Sequence, residues 1–175
     1  QEAKAVRKRL ADVADDDDKP RAQAILAFLE NELGQQSRRD KEPDQALEHF
    51  ETAIDLDPQT VPAYLNLGDL HLEQNRPEEA IDAWERIIKI APERAYLTFD
   101  RLEMVYTRLE DPERFLALCR RLIESNQTDW RARLAFGQHI AAQGEPVRAL
   151  DFLFESLVHN PHALAIHQSI WRTLT

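Results

Sequence analysis

Pro43, Pro77, Pro112 and Pro146 stand 34, 35 and 34 residues apart, and a second column, Pro58, Pro92, Gln127 and Pro161, trails the first by 15. Seven of the nine prolines fall on these two columns. One period of about three dozen residues therefore organises the chain, and a period of that length calls for stacked supersecondary units rather than a single globule. Proline fits the first turn of a helix, where its missing N–H leaves nothing unsatisfied, and it also prevents a helix from continuing. The first column thus marks the starts of helices and the second marks the residues just past their ends.

Small residues obey the same period. Gly34, Gly68 and Gly137 share one column, Gly144 fills a turn, and Ala46, Ala80 and Ala149 share another. Such columns let two helices of a hairpin approach closely, while the larger residues between them fill the seam. Helices are expected at about 2–14, 20–38, 43–56, 61–74, 77–90, 94–109, 112–125, 129–143, 146–159 and 162–174. No segment alternates with period 2, so no sheet is expected. Each helix pair has an apolar face that it cannot bury alone, and it must stack on its neighbours. The expected fold is all-α: a right-handed superhelical stack of helix hairpins. The divisions are 1–19 (the second helix of a preceding repeat plus an acidic loop), repeats 20–60, 61–95, 96–129 and 130–161, and a terminal helix 162–175. A chain that opens on Gln1 and holds a single Met, Met104, is expected to be a fragment of a longer parent.

The motif Tyr64-x-x-Leu67-Gly68-x-x-His71, with Ala80-x-x-x-Trp84 and Pro92, resembles the tetratricopeptide repeat. Glu30-x-x-Leu33-Gly34-x-x-Ser37 with Ala46-x-x-x-Phe50 and Pro58 is a second copy. Arg133-x-x-Phe136-Gly137-x-x-Ile140 with Ala149-x-x-x-Leu153 and Pro161 is a third. Between them Phe99-x-x-Leu102-Glu103-x-x-Tyr106, Phe115-x-x-x-Cys119 and Gln127 keep the apolar frame but carry Glu103 for Gly and Phe115 for Ala. The order of elements also resembles the repeat body of the lipopolysaccharide assembly protein B family. The residues behind this are Gln1-Glu2-Ala3 through Arg9-Leu10, Glu32-Leu33 through Asp44-Gln45-Ala46-Leu47, the degenerate copy with Glu103 and Phe115, and His159-Asn160-Pro161 before a last helix. That resemblance implies a bacterial adaptor tethered to the inner membrane, which regulates lipopolysaccharide synthesis by presenting a lipid A pathway enzyme to a membrane protease. Its members carry an upstream membrane helix and a downstream four-cysteine zinc module, and they have Cys where this chain has Asn31.

The residues suggest no chemistry of their own. A net charge of −10 disfavours nucleic acid, since phosphate binding needs a basic face. No apolar run nears the ~20 residues of a membrane helix, so the fragment itself is not expected to insert, and a cytoplasmic location is expected. The lone Cys119 lies on an apolar column and reads as a buried structural thiol. His159, His162 and His167 straddle a loop proline, so they read as a solvated turn rather than a metal site. Carboxylates such as Glu78-Glu79 sit at helix N-termini, where they offset the macrodipole. No cofactor, metal or enzymatic activity is expected. Asp15–Asp18 read as an acidic loop, and Phe28, Phe50, Trp84, Phe115, Phe136, Phe152 and Phe154 mostly as seam residues.

What remains is surface. The first helix of each pair should line a concave groove, into which Asn31, Gln35, Arg38 and Arg39, then Asn66, Asp69 and Glu73, then Asp100, Arg101, Met104 and Arg108, then Arg131 and Gln138 would point. Amides and mixed charge suit hydrogen bonds to a peptide backbone or a helix. The expected function is a non-catalytic adaptor with protein or peptide partners. The alternatives are the scaffold arm of a larger enzyme such as a glycosyltransferase, or a co-chaperone-type peptide receptor. The Lys and Asn set that clamps terminal carboxylates in chaperone-binding members is not reproduced. Leu10 with Val13, and Ile170 with Trp171, belong to half-repeats, so self-association through the terminal helices, or coverage by the parent's missing segments, is expected.

Overall fold

A computed structural model describes residues 19–175. The expected helix 2–14, with Leu10 and Val13, and the acidic loop Asp15–Asp18 lie outside the described residues. The rest is nine α-helices joined by short turns, with no strand among the described residues. In chain order they are α1 (Lys19–Arg39), α2 (Pro43–Leu56), α3 (Val61–Glu73), α4 (Pro77–Ile90), α5 (Phe99–Arg108), α6 (Pro112–Ser125), α7 (Trp130–Ala142), α8 (Pro146–His159) and α9 (Leu164–Leu174). α2, α4, α6 and α8 each begin on the proline of the first column.

The two turn types repeat with the period. Lys41, Asn75, Glu110 and Gly144 hold φ of 61°, 59°, 59° and 83°. At each, the next residue's N–H reaches back five residues and the turn residue's own N–H reaches back three. Glu42→Ser37 (2.9 Å) with Lys41→Arg38 (3.2 Å) is one instance, and Glu145→Ile140 (3.2 Å) with Gly144→Ala141 (3.0 Å) is another. This is the Schellman close, which satisfies the last carbonyls of the first helix and reverses the chain in a few residues. The second turn closes with Thr60→Asp57 (3.0 Å), Arg94→Ala91 (2.8 Å), Asp129→Asn126 (3.0 Å) and Ala163→Asn160 (3.3 Å). Pro58, Pro92 and Pro161 sit second in these turns, where a fixed φ is pre-set for the bend. Where Gln127 replaces proline, Asn126 Oδ1 accepts from the Thr128 N–H (3.1 Å), as Asp57 Oδ1 does from the Gln59 N–H (3.0 Å), and also from the Thr128 hydroxyl (2.8 Å).

The glycine column is explained by its neighbours. A Cβ on Gly34 would lie 2.5 Å from Phe50, one on Gly68 would overlap the Trp84 indole, and one on Gly137 would lie 3.0 Å from Leu153. Trp84 is fully buried and donates its indole N–H to the Leu65 carbonyl at 3.3 Å. A buried aromatic hides roughly 150–250 Å², which is worth about 4–6 kcal/mol before entropy is counted. The third repeat inverts the pair. Glu103 occupies the glycine column, and the facing column holds the small Cys119, also fully buried, while Phe115 takes the alanine place.

The chain forms two units, one ending at Thr98 and the other running from Phe99 to Thr175. In the first, α1–α2 and α3–α4 are antiparallel hairpins and α3 packs on both α1 and α2. Its core gathers Ala27, Ala53 and Ala63, then Ala46, Phe50 and Leu70. In the second, α5–α6 and α7–α8 are hairpins and α9 packs on α8, closing Leu134, Leu153 and Ile166 over Leu150, Leu157 and Ile170.

Three expectations need correction. The helix expected at 94–109 opens as a 3₁₀ segment, Pro92–Thr98, before α5 starts at Phe99. The buried Thr98 hydroxyl donates to the Ala95 carbonyl at 2.7 Å, so a side chain competes with the backbone for the i−3 acceptor. Phe28 and Phe154 are not seam residues, being 59% and 49% exposed. Ile170 joins the second unit's core, and of its pair only Trp171, 69% exposed, faces outward.

Candidate functional site

Within each unit the first helices of successive repeats lie side by side, so polar residues one period apart can meet. In the first unit they do. Asn66 Nδ2 donates to Asn31 Oδ1 at 2.8 Å, although Asn31 is only 2% exposed. The Arg38 guanidinium grips Glu73, with Nε 3.1 Å from both carboxylate oxygens and Nη2 2.6 Å from one, and Asp69 stands 3.9 Å away. Gln35 donates to Glu32 at 2.9 Å. The structure thus brings Asn31, Arg38, Asn66, Asp69 and Glu73 together as a ladder across α1 and α3. Its bonds stiffen that face, and the rims of two small clefts of about 290 and 260 Å³ are formed by Arg38 and Glu73 with Lys41, Gln74, Gln35 and Arg39.

In the second unit the expected residues are arranged differently. Asp100, Met104 and Arg108 on α5 are exposed and Arg101 is half-buried. Arg131 lies over the Trp130 ring at 4.5 Å, and Gln138 donates to the Ser169 hydroxyl of α9 at 2.8 Å. α5 and α7 are tied instead by Glu103 and the buried His139, whose Nδ1 is 2.5 Å from the carboxylate. The far ring nitrogen, Nε2, faces the Gln143 amide at 3.1 Å, and Phe115 packs against the ring. Sequence reasoning missed this pair. The signal was a charged residue in a glycine column, which needs both room and a partner.

A cleft of about 670 Å³ in the second unit lies between α7, the Gly144 turn and α9. Ala141, Ala142 and Pro146 form its apolar wall, while Gln138, Ser169, Thr173 and Arg172 supply polar groups and a cation. Gln138 is the expected groove residue that lines it. An open cleft with small side chains on one wall and hydroxyl, amide and guanidinium groups on the other suits an extended polar chain.

Burial, then the charges of Glu103 and Asp129, pushes the Cys119 thiol far above its ordinary range, so the nucleophilic thiolate is suppressed. The His167 Nε2 is 2.7 Å from the Pro161 carbonyl, closing its own turn. Among the described residues no group of three His, Cys, Asp or Glu side chains could hold a metal ion. His71 is held below its ordinary range by burial and by Arg76, with Glu79 pulling back, and its Nδ1 has no hydrogen-bond partner. No helix of the described residues is long and apolar enough to cross a membrane.

Residues 38–99 match the family model of the tetratricopeptide repeat. No curated protein matches the sequence. Many solved structures share the fold. YrrB, described as a tetratricopeptide protein with an unusual peptide-binding site, is 23% identical with a TM-score of 0.51, over 98% of this chain and 82% of YrrB. PilF of Pseudomonas aeruginosa is 14% identical with a TM-score of 0.56, over 85% and 67%. A thermophilic tetratricopeptide protein of Thermus thermophilus is 20% identical with a TM-score of 0.54, over 84% and 80%.

Proposed function

From tetratricopeptide repeats, the family to which residues 38–99 belong and whose fold the described chain shares, we propose that this chain is a non-catalytic adaptor binding protein or peptide partners on the face of its first helices. The observation that carries the reading is the ordered polar face. Side chains one period apart bond to each other in the first unit, and a cleft of about 670 Å³ opens beside Gln138 in the second. A face already held in one geometry loses little side-chain entropy on binding. It offers carbonyl, amide and guanidinium groups to a peptide backbone. Within it Gln35, Arg38 and Glu73, with Asn31, Asn66 and Asp69 behind them, serve one unit. Gln138, Arg131, Asp100, Arg101, Met104 and Arg108 serve the other. An adaptor of this kind acts by raising the local concentration of what it holds.

The test is selection of peptides from a displayed library on the whole chain. Affinities are then re-measured in Arg38→Ala, in Arg172→Glu, and in Arg101→Glu with Arg108→Glu. Charge reversal at the rim should slow association and change its salt dependence more than it alters stability. Peptides that keep their affinity in all three variants would place the site elsewhere and end this reading.

The finer reading rests on the resemblance to lipopolysaccharide assembly protein B. The partner would be a lipid A pathway enzyme, presented to a membrane protease at the cytoplasmic face of the inner membrane. Its test is the complete reading frame, which should carry an upstream membrane helix and a downstream pair of CxxC knuckles. Co-purification of that full-length protein with the lipid A enzyme should follow. A frame lacking both features removes the finer reading and leaves the adaptor.

A further inference from the structure

Val147, Asp151, Phe154 and Val158 are spaced i, i+4, i+7 and i+11, so they fall within one narrow stripe of α8. Val147 and Val158 are 77% and 78% exposed, and Phe154 49%. The repeat supplies an internal control. The places of these three apolar residues are taken in α2 by Asp44, Glu51 and Asp55. In α4 they are Glu78, Glu85 and Lys89, and in α6 Glu113, Arg120 and Glu124. Three second helices carry charge there, so the fold does not call for an apolar side chain.

A following repeat does not cover these columns. α2 and α6 are each followed by a stacked first helix, α3 and α7, and their residues in these columns remain exposed. α9 packs on α8 in the same manner, burying Leu150 and Leu157 of the neighbouring stripe. An occupant must therefore come from outside the stack. Three exposed apolar side chains on one stripe, flanking a single carboxylate, on a helix whose counterparts carry charge there are what a docking surface offers.

Asp151 selects the occupant. A second copy pairing antiparallel through this stripe would place its two-fold axis between residues 152 and 153. The two Asp151 carboxylates would then stand three helical residues apart, about 4.5 Å along the axis. A parallel pair would set them face to face. Either dimer desolvates like charges on molecules that each carry a net charge of −10, which is unfavourable. A foreign helix with apolar residues at matching spacing and a Lys or Arg at its middle meets both the stripe and the carboxylate. We propose that the exterior of α8 docks an amphipathic partner helix that is basic at its centre. This surface is separate from the first-helix face, and the inference does not depend on that reading.

The probe is a pair of 18-residue helical peptides with Leu at i, i+4, i+7 and i+11, identical except for a central Lys or Glu. Binding to the whole chain is followed by fluorescence anisotropy. The Lys peptide should bind about tenfold or more tighter than the Glu peptide. Grafting the α4 set, Val147→Glu with Phe154→Glu and Val158→Lys, should weaken it by at least about tenfold while the helical circular dichroism and melting temperature stay as in the wild type. Asp151→Asn should erase the preference for Lys over Glu. Undiminished binding to the grafted variant, or a Lys preference that survives Asp151→Asn, overturns the proposal. Sedimentation supplies the last arm: a wild-type dimer that the graft converts to monomer would make a second copy the occupant, which also overturns it.

Discussion

Restoring the family's glycine at position 103 should destabilise this protein. In the other described repeats Gly34, Gly68 and Gly137 sit against Phe50, Trp84 and Leu153, and a Cβ there meets the facing side chain. In the third repeat the facing residue is the small Cys119, and the column position is filled by Glu103, which reaches the buried His139 at 2.5 Å. Glu103→Gly removes that acceptor and leaves a buried ring nitrogen unsatisfied, at about 1–3 kcal/mol. It also replaces a good helix former by glycine in mid-α5, at about 0.5–1 kcal/mol. The expected loss is about 2–4 kcal/mol, far from negligible in a small unit of marginal stability. The mirror experiment is Gly68→Ala. Alanine gains about 1 kcal/mol of helix propensity, but its methyl overlaps the fully buried Trp84, and overpacking costs about 1–3 kcal/mol. That variant should lose stability too, and Gly68→Ala with Trp84→Leu should recover part of the loss. Urea unfolding followed by far-UV circular dichroism reads both. A Glu103→Gly protein as stable as the wild type would refute the idea that the third repeat swaps its large and small partners.

Left-handed backbone at Glu110 and Lys41 (φ 59° and 61°) strains a side-chain-bearing residue, so Glu110→Gly should raise the urea midpoint by the equivalent of about 0.5–1 kcal/mol. Asn75→Gly, where asparagine already tolerates that conformation, should change it less. His71 has a depressed pKa in the folded state, so the unfolded chain takes up its proton first. Stability is full above the unfolded value near 6.5 and falls as pH drops below it. The difference in unfolding free energy between His71→Tyr and wild type should therefore change between pH 7 and pH 5, and a flat difference would show that His71 is not the titrating group. Cys119 should react with an aromatic disulfide reagent only in denaturant, and rapid labelling of the native chain would contradict its burial.

Helix boundaries were legible because proline and glycine act locally. Pro43, Pro77, Pro112 and Pro146 mark first turns whatever the rest of the chain does. The seam was legible for a related reason, since a glycine facing an aromatic residue is a statement about distance. The polar face was less so. That Arg38 would bond Glu73 rather than solvent, or that Glu103 rather than Arg101 would bind across from α5 to α7, depends on side-chain reach and on the angle between neighbouring helices. Neither is encoded in the hydrophobic period. Phe28 and Phe154 show the limit of the pattern itself. An aromatic residue one column off the seam looks, in one dimension, like an aromatic residue in it.

Repetition turns the chain into its own control, and the two kinds of departure from its period have different physical meanings. Inside, a change must be answered nearby: Glu103 for glycine is met by Cys119 for an aromatic residue, by Phe115 for alanine and by His139 within hydrogen-bond reach. The interior accepts the exchange because volume and hydrogen bonds both balance. Outside, Val147, Phe154 and Val158 replace charges with nothing on their own helix to answer them. Exposed apolar side chains add no packing to the folded state and raise the risk of association, so folding gives no reason for three of them on one stripe. The interior departure is explained by the structure that contains it, and the exterior one is what the proposed partner helix would answer.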